Sequence, residues 1–266
     1  MVNLIAEKRN TIAPLFEGIQ DSMVIACLQG IMGQAYVARE AEPKAALIVS
    51  GEYSFFGGEA ASPDARELVQ NLFQVNESYR TVVIFNDEDP AWVRLLMSIE
   101  ENHPVKVPRF GILQKDYQFD DQLFQRYMDA IPEGYQLVPF DEDLYHQAMA
   151  EDWSREFCEV FPSAEEYLNK GFGFGILKEG RLVSGASTMT VYHGGIEIQV
   201  AARESYGGKG MAMACSAALI RECVRRGIRP CWDAANLTSK HMALNLGYEY
   251  RGEYLTIQMS REDLGE

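Results

Sequence analysis

The 266-residue sequence predicts a mixed α/β fold of the α+β type. Short apolar runs group into meanders, capped helical segments lie between them, and the order helix, meander, helix, strand, helix occurs once in each half. A meander implies antiparallel neighbours and a strand reached through a helix implies a parallel one, so the sheet is expected to be mixed.

In the first half, Leu15, Ile19, Met23 and Cys27 recur every four residues and predict a helix that Gly30 and Gly33 end. The runs QAYVA, AALIVS and YSFFGG read as strands, with GEY as a hairpin connection between the last two. Ser62 before Pro63 is a helix start, and Leu68, Val69 and Leu72 supply its apolar side. TVVIF is a continuous β-branched and aromatic run, as in a strand buried on both faces, and Asp89-Pro90 restarts a helix. A further strand falls near RFGIL, and YSFFGG with Phe85 and Trp92 reads as core. Residues 114–135 are polar with an apolar stripe at Phe119, Leu123, Tyr127 and Ile131, which predicts a connecting helix. The domain boundary is therefore placed near Pro132–Gly134, between an N-terminal α/β domain, 1–132, and a second domain, 133–266.

The second half predicts helices over 141–152 and 163–170, then strands at GFGIL, RLVSGASTMTVY and GIEIQVAA. A glycine loop leads into a helix over 209–226, stopped by Gly227. A strand at PCWDA (230–234), a helix in TSKHMALNLG and short strands around Tyr248–Tyr250 and Leu255–Met259 complete the chain.

With 47% hydrophobic and 24% charged residues the chain can bury a core of ordinary size. Its formal net charge is −15, with 20 acidic against 11 basic residues in 1–135 and 19 against 13 in 136–266. Such a field repels nucleic acid and anionic membrane and favours a cationic small molecule. Five cysteines without a C-x-x-C pair read as reduced, buried thiols. No apolar run approaches ~20 residues, so a cytoplasmic protein is expected. No metal is expected, and a homodimer is compatible with the sequence.

Chemistry concentrates in Tyr-Gly-Gly-Lys-Gly-Met-Ala at 206–212, directly before the longest helix. A Walker loop is excluded because Lys209 is followed by Gly210 and no hydroxyl arrives before Ser216. A dinucleotide fingerprint fails because Met213 stands where its third glycine belongs. What remains is a loop whose successive N–H groups and following helix start face an anion such as a pyrophosphate, with Lys209 adding a cation. Ala212, Ala214, Ser216, Ala217 and Ala218 let that helix lie close against a sheet.

This loop resembles the acyl-CoA loop of the GCN5-related N-acetyltransferases (GNAT), Gln/Arg-x-x-Gly-x-Gly/Ala. Gly207 takes the Gln/Arg place, Gly208 and Lys209 the free ones, and Gly210, Met211 and Ala212 the rest. Gly207 departs from the family pattern. Downstream, Asn236, Ser239, Leu246, Gly247 and Tyr248 match the family's Asn-x-x-Ser/Ala…Leu-Gly-Phe/Tyr segment. IEIQVAARESYGGKG and WDAAN resemble, more narrowly, the branch that includes the zwittermicin A resistance acetyltransferase. The specific likeness covers about 190–260, and the first domain then reads as a degenerate GNAT copy or an accessory domain.

The resemblance implies two parallel strands, 195–202 and 230–234, that splay so that pantetheine bonds to the edge of the first at Val200, Ala201 and Ala202. It implies acetyl-CoA as acyl donor, held also by Asn236 and Ser239, and direct attack of a neutral amine on the thioester. A base is then required, since an ammonium is no nucleophile. Glu197 is the candidate, placed by alternation on one strand face with Gln199 and Ala201. His193, His241 and Asp233 are weaker candidates for base or substrate contact. The family's acidic tyrosine falls by spacing on Ala243, which leaves Tyr206, Tyr248, Tyr250 or unassisted thiolate departure. The expected function is an acyl-CoA-dependent N-acetyltransferase acting on a primary amine of a small cationic molecule, the alternative being a non-catalytic acyl-CoA sensor.

Overall fold

The computed structural model describes residues 1–85 and 89–261. Strand β1 (Val2–Leu4) leads through a 3-10 stretch, Ala6–Phe16, to α1 (Ser22–Leu28). The single helix expected here is divided, because Gly18 takes φ +88° and the Asp21 carboxylate accepts the Met23 N–H at 2.8 Å to cap a new helix. Strands β2 (Gln34–Val37), β3 (Ala45–Ser50) and β4 (Tyr53–Gly58) form the expected meander, with Ser50 opposite Tyr53 across a two-residue turn. Next come α2 (Pro63–Gln70), α3 (Leu72–Val75), β5 (Thr81–Ile84), α4 (Pro90–Met97) and β6 (Val105–Ile112). Strand β5 alternates rather than burying both faces: Val82 and Ile84 join a core with Trp92 and Leu96, while Thr81 and Val83 are only partly covered.

The chain continues with α5 (Asp121–Asp129), β7 (Tyr135–Pro139), α6 (Glu142–Met149), a 3-10 turn at Arg155–Phe157 and α7 (Ala164–Lys170). Then follow β8 (Gly173–Lys178), β9 (Arg181–Tyr192), β10 (Gly195–Ala202), α8 (Met211–Arg226), β11 (Arg229–Cys231) and α9 (Leu237–Leu246). Helix α8 begins two residues later than expected, because left-handed Gly210 precedes it. Strand β11 is shorter than PCWDA, since Ala234 turns away to bridge Phe110. The two short C-terminal strands are one, β12 (Tyr250–Ser260).

Compactness divides the chain into one unit of Met1–Arg109 with the strand residues from Gly252 on, and another of Phe110–Arg251. The first unit's sheet has the order β1-β2-β3-β4-β5-β12-β6, with β4 and β5 parallel. The second has the order β11-β10-β9-β8-β7, antiparallel except for the pair β10–β11. The turn at Pro132–Gly134 is present, with Gly134 at φ +84°, and lies inside the second unit. Helix α5 precedes that turn yet buries Phe124 in the second unit's core, beside Ile196, Ile198 and the inner face of α8.

None of the five cysteines is in a disulfide, and all are buried. Burial pushes the thiols of Cys27, Cys158 and Cys215 up to about 12 and raises that of Cys223 as well. The native protein is therefore expected to give no stoichiometric reaction with an aromatic disulfide at pH 8 and to release all five thiols in guanidinium; a native thiol that reacts within seconds contradicts this burial. Among the described residues no helix is long and apolar enough to cross a membrane, and no three His, Cys, Asp or Glu are placed to hold a metal.

Candidate active site

The site is built on the β9–β10 hairpin. Its turn, His193-Gly194, has Gly194 at φ +105°. At Gly195 a Cβ would come within 2.3 Å of the Tyr192 hydroxyl, so glycine there opens the path by which that phenol reaches the Cys231 sulfur at 3.2 Å. Along β10, Ile196, Ile198 and Val200 pack toward α8, and Glu197, Gln199 and Ala201 take the other face. On that face Gln199 donates to Glu156, and Arg203 pairs with Glu151 at 2.6 Å with its guanidinium 5.7 Å from the Trp153 ring centroid.

Strands β10 and β11 pair from Gly195↔Arg229 to Glu197↔Cys231, and among the described residues no strand pairs with that edge of β10 beyond Glu197. Arg203 N–H donates to Val183 O at 2.9 Å, so alternation along the ladder aims the main-chain groups of Ala202, Val200 and Ile198 at the open edge. Ala201 faces the other way, its carbonyl accepting from the Ser184 hydroxyl at 3.0 Å. Of the three edge residues expected, Val200 and Ala202 thus present backbone to the fork and Ala201 does not.

After β10 a 3-10 turn, Glu204–Tyr206, delivers the chain to the glycine loop. Gly208 and Gly210 have φ +73° and +77°, and a Cβ at either meets nothing within 4 Å, so glycine is required by backbone conformation and not by crowding. Gly207 is ordinary at φ −59°. No side chain caps α8 and no acidic residue lies in its first turn, which leaves the N–H groups at Met211 and Ala212 directed out of the helix start. The Lys209 ammonium lies 3.3 Å from Ser205 O and 4.9 Å from the Tyr206 ring, and the Lys178 ammonium 5.7 Å from the same ring.

Asn236 and Ser239 sit at the start of α9. The Asn236 side chain accepts the Ser239 N–H at 2.9 Å, and the Ser239 hydroxyl accepts from the Trp232 indole at 3.0 Å, so both fix the segment that follows the fork.

Glu197 is 7% exposed and lies in the last cross-strand row before the fork, between Thr190 on β9 and Cys231 on β11. Burial chiefly, with Cys231 next and the Glu197 charge a smaller contribution, raises the Tyr192 phenol; burial likewise holds Tyr248, which donates to Pro230 O at 3.0 Å, well above the usual range. Ala243, the spacing equivalent of the family tyrosine, is fully buried. His241 is exposed on α9. Sequence reasoning missed Tyr192 and Thr190, although counting back from the His193-Gly194 turn pairs Tyr192 with Gly195 and Thr190 with Glu197.

In the first unit β4 and β5 are also a parallel pair, joined among the described residues at Tyr53↔Val83 and Ser54↔Ile84. The Trp92 indole donates to Gly58 O at 3.0 Å and stacks on Phe56 at 5.0 Å. At the start of α2, Ser62 accepts the Ala65 N–H at 3.1 Å, Pro63 has no N–H, and buried Asp64 pairs with Arg39 and accepts the Lys44 N–H at 2.9 Å.

Two parallel strands that part after three paired rows, joined through an uncapped, glycine-led helix start, form the site, and the comparisons give its family. The family described as GNAT acetyltransferase matches residues 13–257, and the chain belongs to that family of N-acetyltransferase enzymes. It is similar to a GCN5-related N-acetyltransferase-like protein from Streptococcus suis, with 33% identity, TM-score 0.85, and 96% of this chain and 100% of that one covered. The uncharacterized N-acetyltransferase YdfB of Bacillus subtilis is 26% identical over 231 residues, 85% of each chain. A tandem GNAT protein from the clavulanic acid biosynthesis pathway shares the fold at 13% identity, TM-score 0.58, with 99% of each chain covered.

Proposed function

We propose that the protein transfers the acetyl group of acetyl-CoA to a primary amine of a small cationic molecule, at the fork of the second unit. The observation that carries this reading is the uncapped α8 start, led by Gly208 and Gly210 in left-handed conformation, beside the open edge of β10. Gly207, Gly208, Lys209, Gly210, Met211 and Ala212 receive the pyrophosphate through N–H groups, the helix dipole and one ammonium. Val200 and Ala202 bond pantetheine, with Ala201 behind them, and Asn236 and Ser239 hold the far wall. Glu197 takes a proton from the bound ammonium, and the neutral nitrogen then attacks the thioester carbon.

The transferase domain, read from the sequence as 133–266, draws in this proposal on α5 as well. The first domain reads as a degenerate copy of the same plan, and a non-binding role for it is supported by its α2 start, where Ser62, Pro63 and Asp64 leave the helix start satisfied by the chain's own groups. The net charge of −15 supports a cationic acceptor, and the likeness to the zwittermicin A resistance branch supports an amino-bearing antibiotic or polyamine-like metabolite. Buried thiols outside any disulfide support a cytoplasmic setting.

Isothermal titration is expected to give one acetyl-CoA per chain, and thiol release over a panel of primary amines is expected to be saturable. Two bound acetyl-CoA per chain would sink the non-binding role of the first unit. Preference for NAD(P)H over acetyl-CoA would sink the transferase reading itself.

A further inference from the structure

The Thr190 hydroxyl is fully buried and has no hydrogen-bond partner among the described residues. An unpaired buried hydroxyl is a standing cost to the fold, and threonine is readily replaced by valine of the same shape, so its presence calls for a reason. Its position supplies one. Thr190 is the direct β9 partner of Glu197, and Glu197 is the direct β10 partner of Cys231, so the three side chains form one row on one face. That row is the last before β10 and β11 part. Cross-strand partners have Cβ atoms about 5 Å apart, which brings hydroxyl and carboxylate within reach of a single nitrogen atom.

We propose that Thr190 orients the acceptor amine, its oxygen accepting one N–H while Glu197 takes the proton. This rests on the transferase reading above. Once one ammonium proton has passed to the Glu197 carboxylate, the nitrogen keeps two hydrogens and a lone pair. One hydrogen bonds to Thr190, and the lone pair forms the C–N bond as the thioester C–S bond breaks and its electron pair leaves on sulfur. The remaining proton that nitrogen loses ends on that sulfur. The arrangement favours primary over N-methylated amines, because a neutral primary amine can offer either of two hydrogens to Thr190, whereas an N-methyl amine keeps one and must seat its methyl group in the other's place.

The test compares wild type, Thr190→Val and Thr190→Ser. Isotope-labelled acetyl-CoA is supplied with a small-molecule cell extract and with purified primary amines paired with their N-methyl forms. Thr190→Val is expected to keep acetyl-CoA affinity, to melt no lower than wild type, and to raise the amine KM by about tenfold or more with a smaller change in kcat. Its preference for primary over N-methyl amine should fall toward parity, and Thr190→Ser should retain both KM and preference. Wild-type KM and preference in Thr190→Val overturn the orienting role and leave the transferase reading standing. Equal losses in the valine and serine variants also overturn it, since packing would then be the cause. A wild type that binds acetyl-CoA and labels no amine removes the transferase reading, and the role of Thr190 with it.

Discussion

Changing Lys209→Glu together with Gly210→Val is expected to weaken acetyl-CoA binding by at least about a hundredfold while the fold survives. Two effects add. The charge reversal replaces an ammonium beside the loop with a carboxylate, forfeiting a charge-assisted contact of about 1.5–3 kcal/mol and adding repulsion toward the pyrophosphate. Valine at φ +77° costs about 1–2 kcal/mol or more, because its Cβ crowds the neighbouring carbonyl. The loop relieves that strain by leaving the left-handed conformation, which swings the first N–H groups of α8 off the anion. The damage stays local, since a Cβ at Gly210 meets no other part of the protein within 4 Å. Titration calorimetry at fixed ionic strength, with circular dichroism as the control, reads the outcome. Unaltered affinity would mean that the pyrophosphate is held elsewhere.

For Glu197→Gln, kcat is expected to fall by about 10²–10⁴ with acetyl-CoA affinity retained. Glutamine has the same outline and cannot accept the proton, so binding and chemistry separate. The pH–rate profile of the variant should differ from that of the wild type, since the group proposed to take the proton is gone. A variant with wild-type kcat and an unmoved pH profile excludes Glu197 as the base.

The sequence made the β8–β10 meander legible nearly to the residue, because Glu179-Gly180 and His193-Gly194 punctuate it with left-handed turns and the runs between them are long. The glycine loop was legible for the same reason, its chemistry being local. Strand β7 was not, since Tyr-Gln-Leu-Val-Pro is short, partly exposed and ends in proline. Turn chemistry at Pro132–Gly134 announces a bend but does not say whose core the preceding helix joins; Phe124 decides that through contacts distant in sequence. The pairing of Met259 with Val82 has no local signature at all. In the site, alternation singled out Glu197, yet its row with Thr190 and Cys231 emerges only when the β9–β10 and β10–β11 registers are known together.

Strand β12 lies between β5 and β6, so the sheet that is begun first is closed last. On a ribosome, more than a hundred residues must emerge after β6 before β12 is available, a delay on the order of ten seconds. Throughout that interval the facing edges of β5 and β6 carry unpaired backbone groups, a template for any extended segment nearby. Completion of the first unit's sheet therefore waits on a strand translated after nearly the whole of the other unit.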